Sequence, residues 1–112
     1  MKKLYSIDNR DLDYKAFIYV DSIRNGMAFG GCRFAPTVTE EEVTQLAQCM
    51  SLKLAPHGLP VGGAKGGLAV DPKNPKIFEI LADFASQMKP LLSETVVLGK
   101  DLGASNEMMD HI

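Results

Sequence analysis

The sequence is short of cysteine, of excess positive charge and of long apolar runs, and each shortage excludes a class of protein. Cys32 and Cys49 are its two cysteines, too few for a disulfide framework, so both are expected as reduced thiols. Lys plus Arg number 12 against 14 Asp plus Glu, a net charge of -2. Without a basic excess, sequence-independent binding to nucleic acid lacks its main driving force, and a membrane-surface role is equally unsupported. No apolar run is long enough for a signal peptide or a spanning helix, which makes the cytoplasm the expected address. Internal repeats, low-complexity tracts and Ser/Gly linkers are missing as well. His57 and His111 match no metal-ligand spacing with each other or with the cysteines, so no metal is expected. What is present is 112 residues, 46% hydrophobic and 23% charged, enough for one domain with its own core.

Along the chain, Tyr14 to Val20 is rich in aromatic and β-branched residues and reads as a strand. Asn25-Gly26 is a strong hairpin signal, predicting an antiparallel partner from Met27 towards Arg33. The period then changes. Thr39-Glu40-Glu41-Glu42 is a capping box with three acids in the first turn. Val43, Leu46, Ala47, Met50 and Leu54 follow on one helical face, and Pro56 and Gly58 mark the end. After a glycine-rich stretch read as a loop, Leu68-Ala69-Val70 suggests a short strand. Asn74-Pro75 opens a second helix carrying Ile77, Phe78, Leu81, Phe84, Ala85 and Met88 on one face, closed by Pro90. Thr95 to Leu98 reads as a buried strand, and Ser105 as the cap of a third helix. The predicted class is α/β: a small mixed β-sheet with helices packed on its faces.

The densest chemical signal is Pro60-Val61-Gly62-Gly63-Ala64-Lys65-Gly66-Gly67, four glycines around one lysine. The spacing refuses a P-loop, because Ala64 precedes Lys65 and Gly66 follows it. No Gly-x-Gly-x-x-Gly dinucleotide fingerprint occurs either. Lys53 sits at the border of the apolar stripe of the first helix, where it either snorkels to water or points into a cleft beside the glycine-rich stretch. Two ammonium groups ~8 Å apart at an effective dielectric of ~20 repel by about 2 kcal/mol, which favours one neutral amine. One lysine could then hold an anionic substrate while the other acts as a base. Asp101, at the end of the strand from Thr95, is a third candidate, placed where α/β sheets carry functional residues.

Together, Gly30-Gly31-Cys32-Arg33, the Lys53 helix, Gly62 to Gly67 and Asp101-Leu102-Gly103 resemble the N-terminal domain of the glutamate/leucine/phenylalanine/valine dehydrogenases. The resemblance runs from about Gly26 to Ile112. It implies a substrate-binding and oligomerisation domain of an enzyme that deaminates amino acids to 2-oxo acids and ammonia, with NAD or NADP as cofactor. It makes Lys53 the partner of the substrate carboxylate, Lys65 the general base and Asp101 the proton carrier for the substrate nitrogen. Gly30, Gly31, Gly62 and Gly63 would let backbone approach substrate, and Met50 would pack beside it. Glutamate-specific members resemble Lys-Gly-Gly at the first glycine pair, where this chain has Phe29. A phenyl ring cannot partner a side-chain carboxylate, so the resemblance points to the leucine/phenylalanine/valine branch and an apolar substrate.

In that family the cofactor sits on a separate Rossmann domain that the 112 residues do not contain, so these residues alone are expected to be inactive and to bind no cofactor. The expected partners are a small amino acid or 2-oxo acid and further copies of the same chain. A free-standing, non-catalytic amino-acid-binding or oligomerisation module is the alternative, and a phosphate-binding loop protein a weaker one.

Overall fold

The structure, a computed structural model, describes residues 2–24, 26–54 and 62–100, except for the side chains of 53, 54, 93, 94, 99 and 100. Its elements run β1 (Lys3–Asn9), β2 (Tyr14–Val20), β3 (Ala28–Phe34), α1 (Glu40–Leu54), β4 (Gly62–Ala69), α2 (Ile77–Gln87), α3 (Lys89–Glu94) and β5 (Val96–Lys100). The five strands form one sheet in the order β1-β2-β4-β3-β5. The first two pairings, β1 with β2 and β2 with β4, are antiparallel. Around β3 the sheet is parallel, with β4 on one side and β5 on the other. The sheet is therefore mixed, as the sequence predicts.

Two expectations about the strands need correction. The hairpin that opens the sheet is β1–β2, closed by a turn in which Asp13 takes a φ of 54°. Arg24 and Met27 do exchange N–H···O bonds of 3.0 Å, and Gly26 has φ of 76°. The strands leaving that turn splay apart, however, and β4 inserts between β2 and β3. The local signal specified the turn; the pairing was decided by the crossover that returns through α1. The second correction is that the glycine-rich stretch is not a loop from Gly62 onward. It is β4, a central strand buried from Gly62 to Leu68.

The helices lie where the crossovers put them. The connection β3-α1-β4 steps one way along the sheet, and β4-α2-α3-β5 steps back across β3 the other way. Crossovers of one hand going in opposite directions place their helices on opposite faces. Residues Ala16, Ile18, Val20, Ala28, Cys32, Phe34, Ala64, Leu68 and Val96 accordingly form one buried cluster with Ile77, Ile80, Leu81, Phe84 and Met88 of the α2 side. The other face meets α1 through its buried Val43 and Ala47. Thr39 caps α1 as predicted, its Oγ1 accepting the Glu42 N–H at 3.2 Å.

In the second half, Asn74 Oδ1 accepts the Lys76 N–H at 2.8 Å, but the helix begins at Ile77, two residues beyond Pro75. Pro90 does not end a helix; it opens α3 in its first turn, where the missing N–H is harmless. Ile80 rather than Phe78 completes the buried face of α2, and Phe78 is exposed. Cys32 is buried on β3 and Cys49 is exposed on α1. Among the described residues, no helix is long and apolar enough to cross a membrane. The helix expected after Ser105, the end signals Pro56 and Gly58, and both histidines lie outside the described residues.

Candidate functional site

Strand alternation explains the glycine-rich sequence residue by residue. Gly63, Lys65 and Gly67 point to the α1 face, and Gly62, Ala64 and Gly66 to the other. A Cβ on Gly63 would overlap the backbone of Ser51 in α1, and one on Gly67 would come 2.6 Å from Val43 and 2.8 Å from Val38. The two glycines thus let α1 press onto the strand. On the opposite face a Cβ on Gly66 would lie 2.9 Å from Leu98, and one on Gly62 would overlap the Ser22 carbonyl. Gly30 on β3 is held as tightly, because a Cβ there would overlap the Ala64 carbonyl oxygen. These glycines make room for the chain's own backbone and helix. The amides of β4 are committed to its two neighbouring strands and are not a free phosphate cradle.

Between Gly63 and Gly67 stands Lys65, 5% exposed and the sole buried charged residue among those described. Burial of an ammonium is unfavourable without polar surroundings, which marks this lysine off from a solvated turn residue. Its β2 neighbour in the ladder is Tyr19, also on the α1 face. On the β3 side the corresponding stretch is Gly30-Gly31, which carries no side chain bulk.

A hydroxyl clamp fixes α1 against the start of β4. Ser22 Oγ accepts the Gly63 N–H at 3.0 Å and lies 2.9 Å from Ser51 Oγ on α1. The Gly63 carbonyl in turn accepts the N–H groups of Asp21 at 2.9 Å and Ser22 at 3.2 Å. Ser51 is two residues before Lys53, and Gly63 two before Lys65. The clamp therefore joins the two lysine-bearing segments.

Beyond α1 the sheet is open. Phe29 pairs in register with Gly63 on one side and with Val97 on the other. Phe29 and Val97 remain 39% and 45% exposed. Arg33, further along the same face, places Nη1 3.3 Å from Glu42 Oε1 on α1. Phe29, Gly31, Gly63 and Lys65 thus share one region of the sheet beside α1, which carries the half-buried Met50 and the backbone of Lys53, whereas Gly30 and Gly62, expected beside the substrate, lie on the opposite face. Asp101 lies outside the described residues, one position past the end of β5. Among the described residues, no group of three His, Cys, Asp or Glu side chains could hold a metal.

This arrangement of a mixed sheet with helices on its faces has known counterparts. The chain belongs to the Glu/Leu/Phe/Val dehydrogenase family, whose dimerisation domain matches residues 6–112. An NADP(+)-dependent glutamate dehydrogenase of Pyrobaculum calidifontis is 37% identical over 84 residues, covering 71% of this chain and 20% of the relative. An NAD-specific glutamate dehydrogenase of Staphylococcus aureus is 47% identical over 55 residues, 49% of this chain and 13% of the relative. Among solved structures, the hetero-hexameric glutamate dehydrogenase of Thermus thermophilus in its Leu bound form superposes with a TM-score of 0.85 at 32% identity. It covers 97% of this chain and 29% of that one. L-tryptophan dehydrogenase of Nostoc punctiforme shares the fold, with a TM-score of 0.82 at 21% identity. The chain therefore spans 20% or less of the length of these two curated relatives.

Proposed function

We propose that this chain is the substrate-binding and oligomerisation domain of an NAD(P)-dependent amino-acid dehydrogenase, which oxidatively deaminates an apolar amino acid to its 2-oxo acid and ammonia. The observation that carries the reading is Lys65, buried at 5% exposure on the sheet face that stays open at Phe29. In this reading Lys53 holds the substrate α-carboxylate, Lys65 is the base that activates water at the imine carbon, and Asp101 exchanges protons with the substrate nitrogen. Gly31 keeps the face beside Lys65 free of side chains for the substrate, Gly30, Gly62 and Gly63 let the strands and α1 close up around it, and Met50 borders it. Family membership and the glutamate dehydrogenase names of the relatives support the reaction class. Copies of the chain associate through this domain, as the family's domain name suggests.

The strand-to-helix turns give no support for a dinucleotide site within these residues. After β4 the chain runs Val70-Asp71-Pro72-Lys73-Asn74-Pro75, with no glycine and with prolines that remove amide donors. The nicotinamide is therefore assigned to none of the residues named here, and residues 1–112 on their own are expected not to reduce NAD or NADP.

Phe29 supports the apolar preference, because a buried substrate carboxylate without a cation would cost several kcal/mol. The relatives' names favour a second reading, glutamate as substrate, with the cation supplied from another position. Steady-state turnover of the full-length polypeptide on leucine, phenylalanine, valine and glutamate separates the two. Leucine-type substrates should dominate, and Lys65→Ala should lower kcat by about 100-fold or more. Glutamate turnover far above the rest would reject the apolar reading. Absence of turnover on every amino acid, with nicotinamide cofactor supplied, would reject the enzyme and favour the non-catalytic binding or assembly module.

A further inference from the structure

Outside the glycines and lysines, one feature of the open face stands unassigned: Val97. It sits in the interior of β5, where alternation buries Val96 against the α2 side at 1% exposure and leaves Val97 at 45%. A β-branched residue in a strand ordinarily gains its stability from packing on its own face. Val97 instead shares its exposure with one register partner, Phe29 at 39%. Phe29 and Val97 occur together among the few exposed large hydrophobics of the described residues, next to Leu52 and Phe78 on helices. Two such side chains abreast on a half-open sheet form an apolar strip rather than a scattered exposure.

The strip has a direction. Row by row across the sheet, Gly63, Phe29 and Val97 are aligned on β4, β3 and β5. Two residues further along the same face, Gly31 is aligned with Gly99. That second row starts at Lys65 on β4 and continues over two residues that have no side chain. Strands lie about 4.8 Å apart, so the distance from the lysine strand to Val97's strand is about 10 Å. A zwitterion beside Lys65 whose side chain is laid across the sheet over Gly31 would run along Phe29 and end towards β5.

We propose that Val97 is a specificity-determining residue, the outer half of an apolar strip with Phe29 that accepts the distal, branched or aromatic end of the substrate side chain. The inference rests on the proposed function and deepens it: the preferred substrates are those whose apolar side chain is long enough to cross β3. Phe29 meets the near part of the chain and Val97 its far end. Small substrates bind to Lys65's surroundings without touching Val97 and are indifferent to it.

The test is equilibrium binding of 2-oxo acids to the full-length polypeptide, followed by protein NMR. Pyruvate, 4-methyl-2-oxopentanoate and 2-oxoglutarate are the probes, and wild type is compared with Val97→Ala and Val97→Lys. Val97→Ala should reduce the preference for 4-methyl-2-oxopentanoate over pyruvate by about five-fold. That is less than the tenfold or more of a methylene in a closed pocket, because Val97 keeps an open side. Val97→Lys should raise the affinity for 2-oxoglutarate relative to pyruvate by supplying the cation that Phe29 cannot. A purely structural role for Val97 would weaken all three probes together and leave the ratios unchanged. Ratios that stay fixed in both variants, with binding retained, overturn the role of Val97 and leave the proposed function standing. If wild type binds none of the three acids, the reading of the site fails, and this inference with it.

Discussion

At the scale of single residues, the glycines carry most of the information about the site, and they do so for different reasons. Gly26 needs its conformation: φ is 76° and no atom lies within 4 Å of the place a Cβ would take. Gly30 and Gly63 need their space, since a Cβ would overlap the backbone of Ala64 and of Ser51 respectively. Conformational strain is local and modest, whereas a backbone clash must move a strand or a helix. Gly26→Ala should therefore cost about 1 kcal/mol. Gly63→Ala should cost about 3 kcal/mol or more, in the range of severe overpacking. Urea titrations of the two variants give both values, and equal costs would show that α1 yields at Gly63. The sequence displays all ten glycines alike; only the packing of neighbouring elements distinguishes a turn glycine from one that seats a helix.

At the scale of elements, α1 was legible and β4 was not, for a physical reason. The information for α1 is local: a capping threonine, acids at the positive end of the dipole, and an apolar stripe at the helical period. Gly62-Gly63-Ala64-Lys65-Gly66-Gly67 has neither strand propensity nor apolar alternation, and its burial comes from the neighbouring strands, from α1 on one face and from the α2 side on the other. The bonds between Arg24 and Met27 show the same division, with the local turn present and the strand partner different from the expected one. Of the candidate site, Lys65 among its glycines was legible as a motif. Ser22 and Val97 were not, because neither carries a motif.

The serine clamp is open to a direct test at this scale. Ser22 takes the Gly63 N–H, whereas Ser51 contributes only its hydroxyl contact with Ser22. Ser22→Ala leaves that amide without its acceptor and should cost about 1–2 kcal/mol. Hydrogen exchange at Gly63 should accelerate accordingly. Ser51→Ala leaves the amide satisfied and should cost less than about 1 kcal/mol. Matching effects of the two variants on Gly63 exchange would show that the clamp works through α1 docking and not through the amide.

At the scale of the whole molecule, the antiparallel edge and the parallel half are tied by one carboxylate. Asp83 Oδ2 on α2 accepts Asn9 Nδ2 at 3.0 Å and Gln87 Nε2 at 2.8 Å, and it also accepts the Tyr14 hydroxyl. Asn9 ends β1 and Tyr14 begins β2, so the lock holds the tip of the β1–β2 hairpin to α2. The Tyr14 hydrogen bond, chiefly, keeps the Asp83 carboxyl below its ordinary range, with Asn9 and Gln87 adding to it against the opposing effect of burial. Burial first, and then the Asp83 hydrogen bond and charge, push the Tyr14 phenol well above its ordinary range. A carboxyl depressed in the folded state stabilises fully above its unfolded pKa of about 4, and that stabilisation fades as pH falls through the folded value. A phenol raised in the folded state stabilises fully below about pH 10 and loses that contribution at higher pH. Tyr14→Phe removes the shared hydrogen bond. It should cost about 1.5 kcal/mol between pH 5 and pH 9, the low end for a bond to a charged group because Asp83 keeps some contact with solvent. As the pH falls below the ordinary carboxyl range and through Asp83's depressed folded value, the difference between variant and wild type should shrink. Urea unfolding of both proteins at pH 3, 5, 7 and 9 measures it. Little cost at any pH would mean that Tyr14 acts by the ring packing that Phe preserves, and that the hairpin tip is held by the neighbouring apolar cluster; a cost as large at pH 3 as at pH 7 would mean that the lock does not depend on the carboxyl's charge.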